Sequence, residues 1–254
     1  KSLAVNISDV AAMGAVPRWA TLALTIPKVD PDWLQAFAKG FAEISHRYGV
    51  TLIGGDTTQG PLSITVQIMA TALKGQSIKR SGALPGDLIY VSGCLGAAGF
   101  ACKALKSDPD SHTIPSHCLE RLHKPAPRVE LGKELSGLAT AAIDISDGLA
   151  ADLDHILKAS GVAAEVQLTK LPVCKTLEKL EDRDLVRQLA LAAGDDYELC
   201  FTLAAARKSE LEKKTGDLDY PVTCIGVISS GEGISWLDEN GDEMKLDLNG
   251  YEHF

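Results

Sequence analysis

Four acidic clusters in the sequence sit beside glycine or where an apolar run ends: NISD with Asp9, GGDTT with Asp56, DISDG with Asp144 and Asp147, and GDDYE with Asp195, Asp196 and Glu198. Glycine lets a backbone approach a ligand closely, and strand ends are where α/β folds set their sites. Taken singly, each cluster also has a local reading: Asp9 as a solvated helix residue, Asp56 and Asp147 as turn or cap residues, Asp195 and Asp196 as a polar loop. Four together demand a cation. Two carboxylates about 4 Å apart repel by about 4 kcal/mol at an effective dielectric of about 20. No lysine or arginine lies inside any cluster, and only Lys79 and Arg80 lie near a boundary. Oxygen ligands without histidine or cysteine point to magnesium or calcium, and magnesium commonly bridges carboxylate and phosphate. The chemistry would be polyphosphate binding by a protein that is itself acidic.

Composition narrows the partners. Asp and Glu number 34 against 25 Lys and Arg, a formal charge of -9, so the field of the whole molecule repels nucleic acid and anionic membrane surfaces. The most apolar stretch, residues 88–105, is broken by Gly93, Gly96 and Gly99, and no charged-then-apolar leader opens the sequence; a cytoplasmic protein with no membrane span is expected. Six cysteines show no CxxC pair, which fits thiols in a reducing compartment. His112, His117, Cys118 and His123 lie close together, but their spacing matches no zinc pattern and Pro115 interrupts them. There is no GxxxxGK[ST] loop and no kinase-type HRD or DFG motif, so ATP would not be held in either of those ways. SGCLGAAG spaces its glycines three apart, unlike the dinucleotide fingerprint, and reads as a strand-to-helix loop.

The elements that must carry these residues are legible in part. Leu3, Ile7, Val10 and Ala11 have helical spacing ahead of Gly14, so the sequence begins inside an element and an N-terminal segment is expected upstream of Lys1. A strand is predicted over 21–26. Asp30 and Pro31 open a helix carried by Leu34, Phe37, Phe41, Ile44 and Tyr48 and stopped by Gly49. Strict alternation over 62–72 predicts a half-buried antiparallel strand. The apolar-poor stretch ending in Pro85-Gly86 sets a domain boundary near residue 80, giving domains of 1–79 and 80–254. Beyond it, strands over 88–92, 141–145, 163–168, 197–203, 222–228 and 233–237 alternate with helices over 97–106, 128–138, 149–160 and 203–215. Asn240-Gly241 predicts a terminal hairpin.

NISDVAAMGAVP, LIGGDTTQGPLS, KRSGALPGD, AIDISDGLAADLDHI, GDDYELCFT, TCIGVI and the closing NGYEHF, in this order and at these separations, together resemble thiamine-monophosphate kinase. That family belongs to the superfamily of aminoimidazole ribonucleotide synthetase and selenophosphate synthetase. The resemblance runs essentially from Lys1 to Phe254. It implies an α+β, α/β two-domain fold: an N-terminal sheet that pairs with a second subunit into a dimeric barrel, and a C-terminal mixed sheet flanked by helices. It implies ATP-dependent phosphorylation of thiamine phosphate with several Mg2+ ions, in a homodimer. By matching motifs, Asp9, Asp56, Asp144 and Asp147 look like magnesium ligands, and Gly55, Asp56, Arg80 and Ser146 are similar to ATP-contacting positions. Asp147 and Arg80 are the implied catalytic pair. Asp195 and Tyr251 fall where the family contacts thiamine phosphate, and Asp195 stands where glutamate is frequent. A glycine-aspartate-aspartate motif and a second acidic segment are implied upstream of Lys1. Two alternatives stay open: another ATP-dependent synthetase of the superfamily, and a non-catalytic nucleotide- or metal-binding protein lacking that upstream segment.

Overall fold

The computed structural model describes residues 1–246 and 248; Tyr251 lies outside the described residues. The first element, α1 (Ser2–Ala12), buries Leu3, Ile7, Val10 and Ala11 on one face, and the chain leaves it through Gly14 at φ 65°. It runs into β1 (Val16–Ile26), which starts earlier than the predicted 21–26. Arg18 and Trp19 are exposed there, and the pairing shifts register between Pro17 and Trp19. That bulge interrupts the alternation by which a strand is read.

The next helix, α2 (Pro31–Tyr48), has the expected ends: the Asp30 carboxylate accepts the Trp33 N–H at 3.1 Å, and Gly49 closes it in the left-handed region at φ 67°. The GGDTT segment is no turn but part of β2 (Thr51–Gln59), every residue of which is exposed. A strand without a buried face has no alternation to betray it. Gly55 is fixed by close approach: at φ 153° a Cβ there would lie 1.9 Å from the Leu22 carbonyl oxygen. After it, β3 (Ser63–Thr71) falls within the predicted 62–72. These strands form a sheet in the order β2-β1-β3, with β1 parallel to β2 and antiparallel to β3.

The remaining elements are β4 (Asp87–Ser92), α3 (Ala97–Ser107), α4 (Ser116–His123), α5 (Val129–Leu135), β5 (Ala141–Asp144), α6 (Leu149–Ser160), β6 (Ala163–Gln167), α7 (Lys175–Glu178), α8 (Arg183–Ala192), β7 (Leu199–Ala204), α9 (Lys208–Thr215), β8 (Val222–Ser229), β9 (Gly233–Leu237) and β10 (Glu243–Met244). Among the described residues the strands build a mixed sheet in the order β10-β9-β6-β8-β4-β7-β5. Its pairs are antiparallel except for β6 with β9, and β9–β10 is the hairpin expected at Asn240-Gly241. The helix predicted from residue 203 starts only at Lys208, because β7 runs on to Ala204 and a 3-10 turn follows. The stretch containing His117, Cys118 and His123 is α4, with Cys118 and Leu122 buried.

Three apolar clusters hold these layers. One face of the large sheet packs Ile89, Val91 and Ile225 against Leu149, Leu153 and Ile156 of α6. The other face sets Phe201 and Tyr90, their rings stacked at 5.4 Å, toward α1 and α5. Full burial of a side chain such as Phe201 contributes about 1.5–3 kcal/mol. A third cluster joins α3, α4 and α8. The arrangement gives α1 contacts with both β3 and β5, so Asp9 is carried toward the C-terminal end of β5, where Asp144 sits.

Candidate active site

Asp144 closes β5 and is 5% exposed. Burial, reinforced by the charge of Asp9, pushes its carboxyl up to about 6, while the Ser8 hydroxyl and the charge of Arg80 act in the opposite direction. Asp9 is itself raised by partial desolvation and pulled back by Arg80. Asp9, Arg80 and Asp144, singled out in separate motifs, thus share one neighbourhood at the seam between α1 and β5. Arg80 is exposed and free to reach outward.

From Asp144 the chain turns through Ile145–Asp147 into α6. The carboxylate of Asp152, buried at 2% exposed, faces back into this turn, and its Oδ2 accepts the Ser146 N–H at 2.9 Å and the Asp147 N–H at 3.0 Å. Gly148, at φ 110°, lets the turn lie on α8: a Cβ there would be 2.7 Å from the Leu191 carbonyl oxygen. The Asp147 side chain is left half-exposed on a hollow of about 340 Å³ lined also by Ala151, Asp154 and Trp236.

The Gly194–Glu198 segment is bonded to this turn. Asp195 N–H donates to Ser146 O at 2.8 Å, Tyr197 N–H to Ile145 O at 2.8 Å, and Ile145 N–H to Glu198 O at 2.7 Å. Asp195 and Tyr197 have φ of 62° and 49°, conformations that cost a non-glycine residue about 1–3 kcal/mol each. The Asp195 carboxylate is met by the Lys1 ammonium at 2.7 Å. Burial raises the Tyr197 hydroxyl above its ordinary range, with the charges of Asp195, Asp144 and Asp147 acting in the same direction. Asp9, Asp144, Asp147 and Asp195 therefore border one region.

Asp56 sits on a different element from Asp9 and Asp144. It lies exposed within β2 rather than at a strand end, and its carboxylate accepts the Thr57 N–H at 2.8 Å. The apolar and glycine-rich run ahead of it is exposed as well. No group of three or more His, Cys, Asp or Glu side chains is arranged to hold a metal ion among the described residues. The pair Asp9 and Asp144 nevertheless fits a hard cation: both offer oxygen, and a positive charge beside them would offset the burial that raises both.

Sequence reasoning missed the polar core behind the site. Glu198, wholly buried, accepts Ser92 Oγ at 2.6 Å, both Arg128 Nε and Nη2 at 2.6 Å, and Arg121. Arg128 lies over the Tyr220 ring at 3.8 Å. The partners stand 70 or more residues away in sequence, so local spacing carries no trace of them. Next to Glu198, the buried Asp196 carboxylate accepts the Gly96 N–H at 3.0 and 3.1 Å.

Burial pushes the Asp196 carboxyl up to about 8 from 3.8, against the Gly96 N–H and the Arg121 charge. The folded state then holds a proton that the unfolded chain has released. Stability is greatest below the unfolded value and is lost as pH rises toward the folded one, with a slope approaching about 1.4 kcal/mol per pH unit from this group. Asp196→Asn keeps an acceptor for Gly96 and removes the titration. Denaturant unfolding of both proteins from pH 5 to 7 is expected to show the steeper fall in the unsubstituted chain.

The chain matches two family models, the AIR synthase related protein N-terminal domain over residues 1–73 and the C-terminal domain over residues 85–237. It is 44% identical to thiamine-monophosphate kinase of Salmonella typhimurium, over 100% of this chain and 79% of that protein. The solved thiamine-monophosphate kinase of Stenotrophomonas maltophilia K279a is also 44% identical, with a TM-score of 0.88 over 95% of this chain and 78% of that one. The structure of AaThiL complexed with AMPPCP and TMP is 30% identical, with a TM-score of 0.83 over 99% of this chain and 78% of that one.

Proposed function

The chain belongs to the AIR synthase related proteins and, among them, to the thiamine-monophosphate kinases, and on that premise we propose that it transfers the terminal phosphoryl group of ATP to thiamine phosphate, giving thiamine diphosphate. The observation that carries the reading is that Asp9 and Asp144 are brought together by the packing of α1 on β5, with the charge of Arg80 acting on both.

The acceptor phosphate is already ionised near neutral pH, so no side chain has to generate a nucleophile. The task left to the protein is to hold two anions in line. Asp9, Asp144 and Asp147 would hold Mg2+, with Asp56 on β2 as the fourth candidate ligand. Bound there, the ions supply neutralisation of the phosphate oxygens and of charge developing in transfer. Arg80 offers a guanidinium fork to a phosphate, and Gly55, Asp56 and Ser146 line the nucleotide's side. Asp195 faces the cationic thiazolium in place of the Lys1 ammonium, and Tyr251 offers a ring to the same group, a contact of about 0.5–2 kcal/mol.

We place the boundary between an N-terminal metal- and nucleotide-binding unit and the C-terminal unit near residue 80. A second copy of the chain covers the exposed face of β2, where Leu52 and Ile53 are 47% and 55% exposed. Beside them an apolar groove of about 640 Å³ runs between α2 and the sheet, lined by Leu24, Phe37 and Phe41. Covering such an edge removes a row of unpaired backbone groups. The cytoplasm fits the six free cysteines, and no helix of the described residues is long and apolar enough to cross a membrane.

The test is product analysis. Protein incubated with ATP, Mg2+ and thiamine phosphate is expected to yield thiamine diphosphate and ADP, and none when other small phosphorylated acceptors replace thiamine phosphate. ATP consumption with another acceptor alone would favour a different synthetase of the superfamily.

A further inference from the structure

The 194–198 segment is held in its left-handed turns from two sides. On one side are the backbone bonds to Ile145 and Ser146. On the other is Arg121, whose Nη2 donates to the Asp196 carbonyl at 2.9 Å and also meets the Glu198 carboxylate. Arg121 comes from α4, an element of the third apolar cluster, in which Cys118 and Leu122 anchor the helix. One guanidinium therefore spans the turn between Asp195 and Tyr197 and ties it to a separately packed helix. The peptide bond it grips joins Asp196 to Tyr197, so its hold fixes the turn that follows Asp195 and, through that turn, the direction in which the Asp195 carboxylate points.

We infer that Arg121 is a positioning residue for acceptor recognition: without touching the acceptor, it holds the Asp195–Tyr197 turn in the conformation that aims Asp195 at the cationic part of the substrate. The inference rests on Asp195 facing thiamine phosphate, as proposed above. Two features separate it from a purely structural role. Glu198 keeps its two-point bond to Arg128 when Arg121 is removed, so the buried carboxylate stays paired. The Asp196 carbonyl, in contrast, has Arg121 as its side-chain donor among the described residues.

Arg121→Met removes the donor while keeping most of the side chain's apolar length. It is expected to raise KM for thiamine phosphate by about tenfold with KM for ATP changed by less than about twofold. Arg121→Lys, whose single ammonium can serve both acceptors, is expected to recover most of the loss. Should Arg121→Met not fold, Arg121→Gln is read in the same way. Equal changes in both KM values, or a lower melting temperature with unchanged KM for thiamine phosphate, would overturn the inference. Asp195→Asn separates the two levels of the argument. A raised KM in Asp195→Asn beside an unaltered one in Arg121→Met overturns the inference alone, whereas an unaltered KM in Asp195→Asn overturns its premise with it.

Discussion

Asp147→Asn is expected to lower turnover by more than about a hundredfold, a loss of about 3 kcal/mol in transition-state stabilisation. The melting temperature without metal is expected to stay nearly unchanged. The side chain is half-exposed and lines an open hollow, and its carboxylate makes no hydrogen bond among the described residues. Its backbone N–H is already held by Asp152, so an amide of the same shape leaves the turn in place. What the substitution removes is one negative oxygen donor from the set proposed to hold Mg2+. Thiamine diphosphate formation measures the first quantity and a thermal melt in chelator the second. Turnover like that of the unsubstituted protein would take Asp147 out of the mechanism.

Glu198→Ala is expected to produce the largest loss of stability. It leaves Arg121, Arg128 and the Ser92 hydroxyl without their shared acceptor, and breaking a buried ion pair from one side typically costs about 3–5 kcal/mol. In a chain of this size about 1 kcal/mol moves the melting temperature by about 2–4 °C, so a fall of about 10 °C is expected. Glu198→Gln keeps the volume and two hydrogen-bonding groups and should lose less. A thermal melt checks both, and a fall of less than about 2 °C in Glu198→Ala would show that the cluster adds little to stability.

Where chemistry and periodicity are local, the sequence speaks clearly. Asp30, Pro31 and Gly49 mark both ends of α2 because a cap, a fixed φ and a left-handed exit are each properties of single residues. The alternation of β3 is visible because its Ile64, Val66 and Ile68 face inward from a mostly exposed strand. The edge strand β2 hides behind its glycines, and α4 and α8 lie outside the helices that the spacing predicts. In the site, Asp144 and Asp147 are findable as acids at a strand end or beside glycine, and Asp9 as the acid of the NISD motif. Asp152 is not, since its role depends on facing back across one turn of helix onto the Ser146 and Asp147 N–H groups. The Glu198 cluster is out of reach for a different reason: its geometry is made by tertiary packing of β4, α4, α5 and β7, which no local pattern encodes.

The central claim is that divalent cations join anionic reactants to an anionic pocket. Calorimetric titration of thiamine phosphate into the protein in the presence of a non-hydrolysable ATP analogue, with and without magnesium, tests it most directly. Binding that is measurable with magnesium and weaker by about tenfold or more without it is the predicted result, corresponding to about 1.4 kcal/mol or more. Equal affinity under both conditions would contradict it.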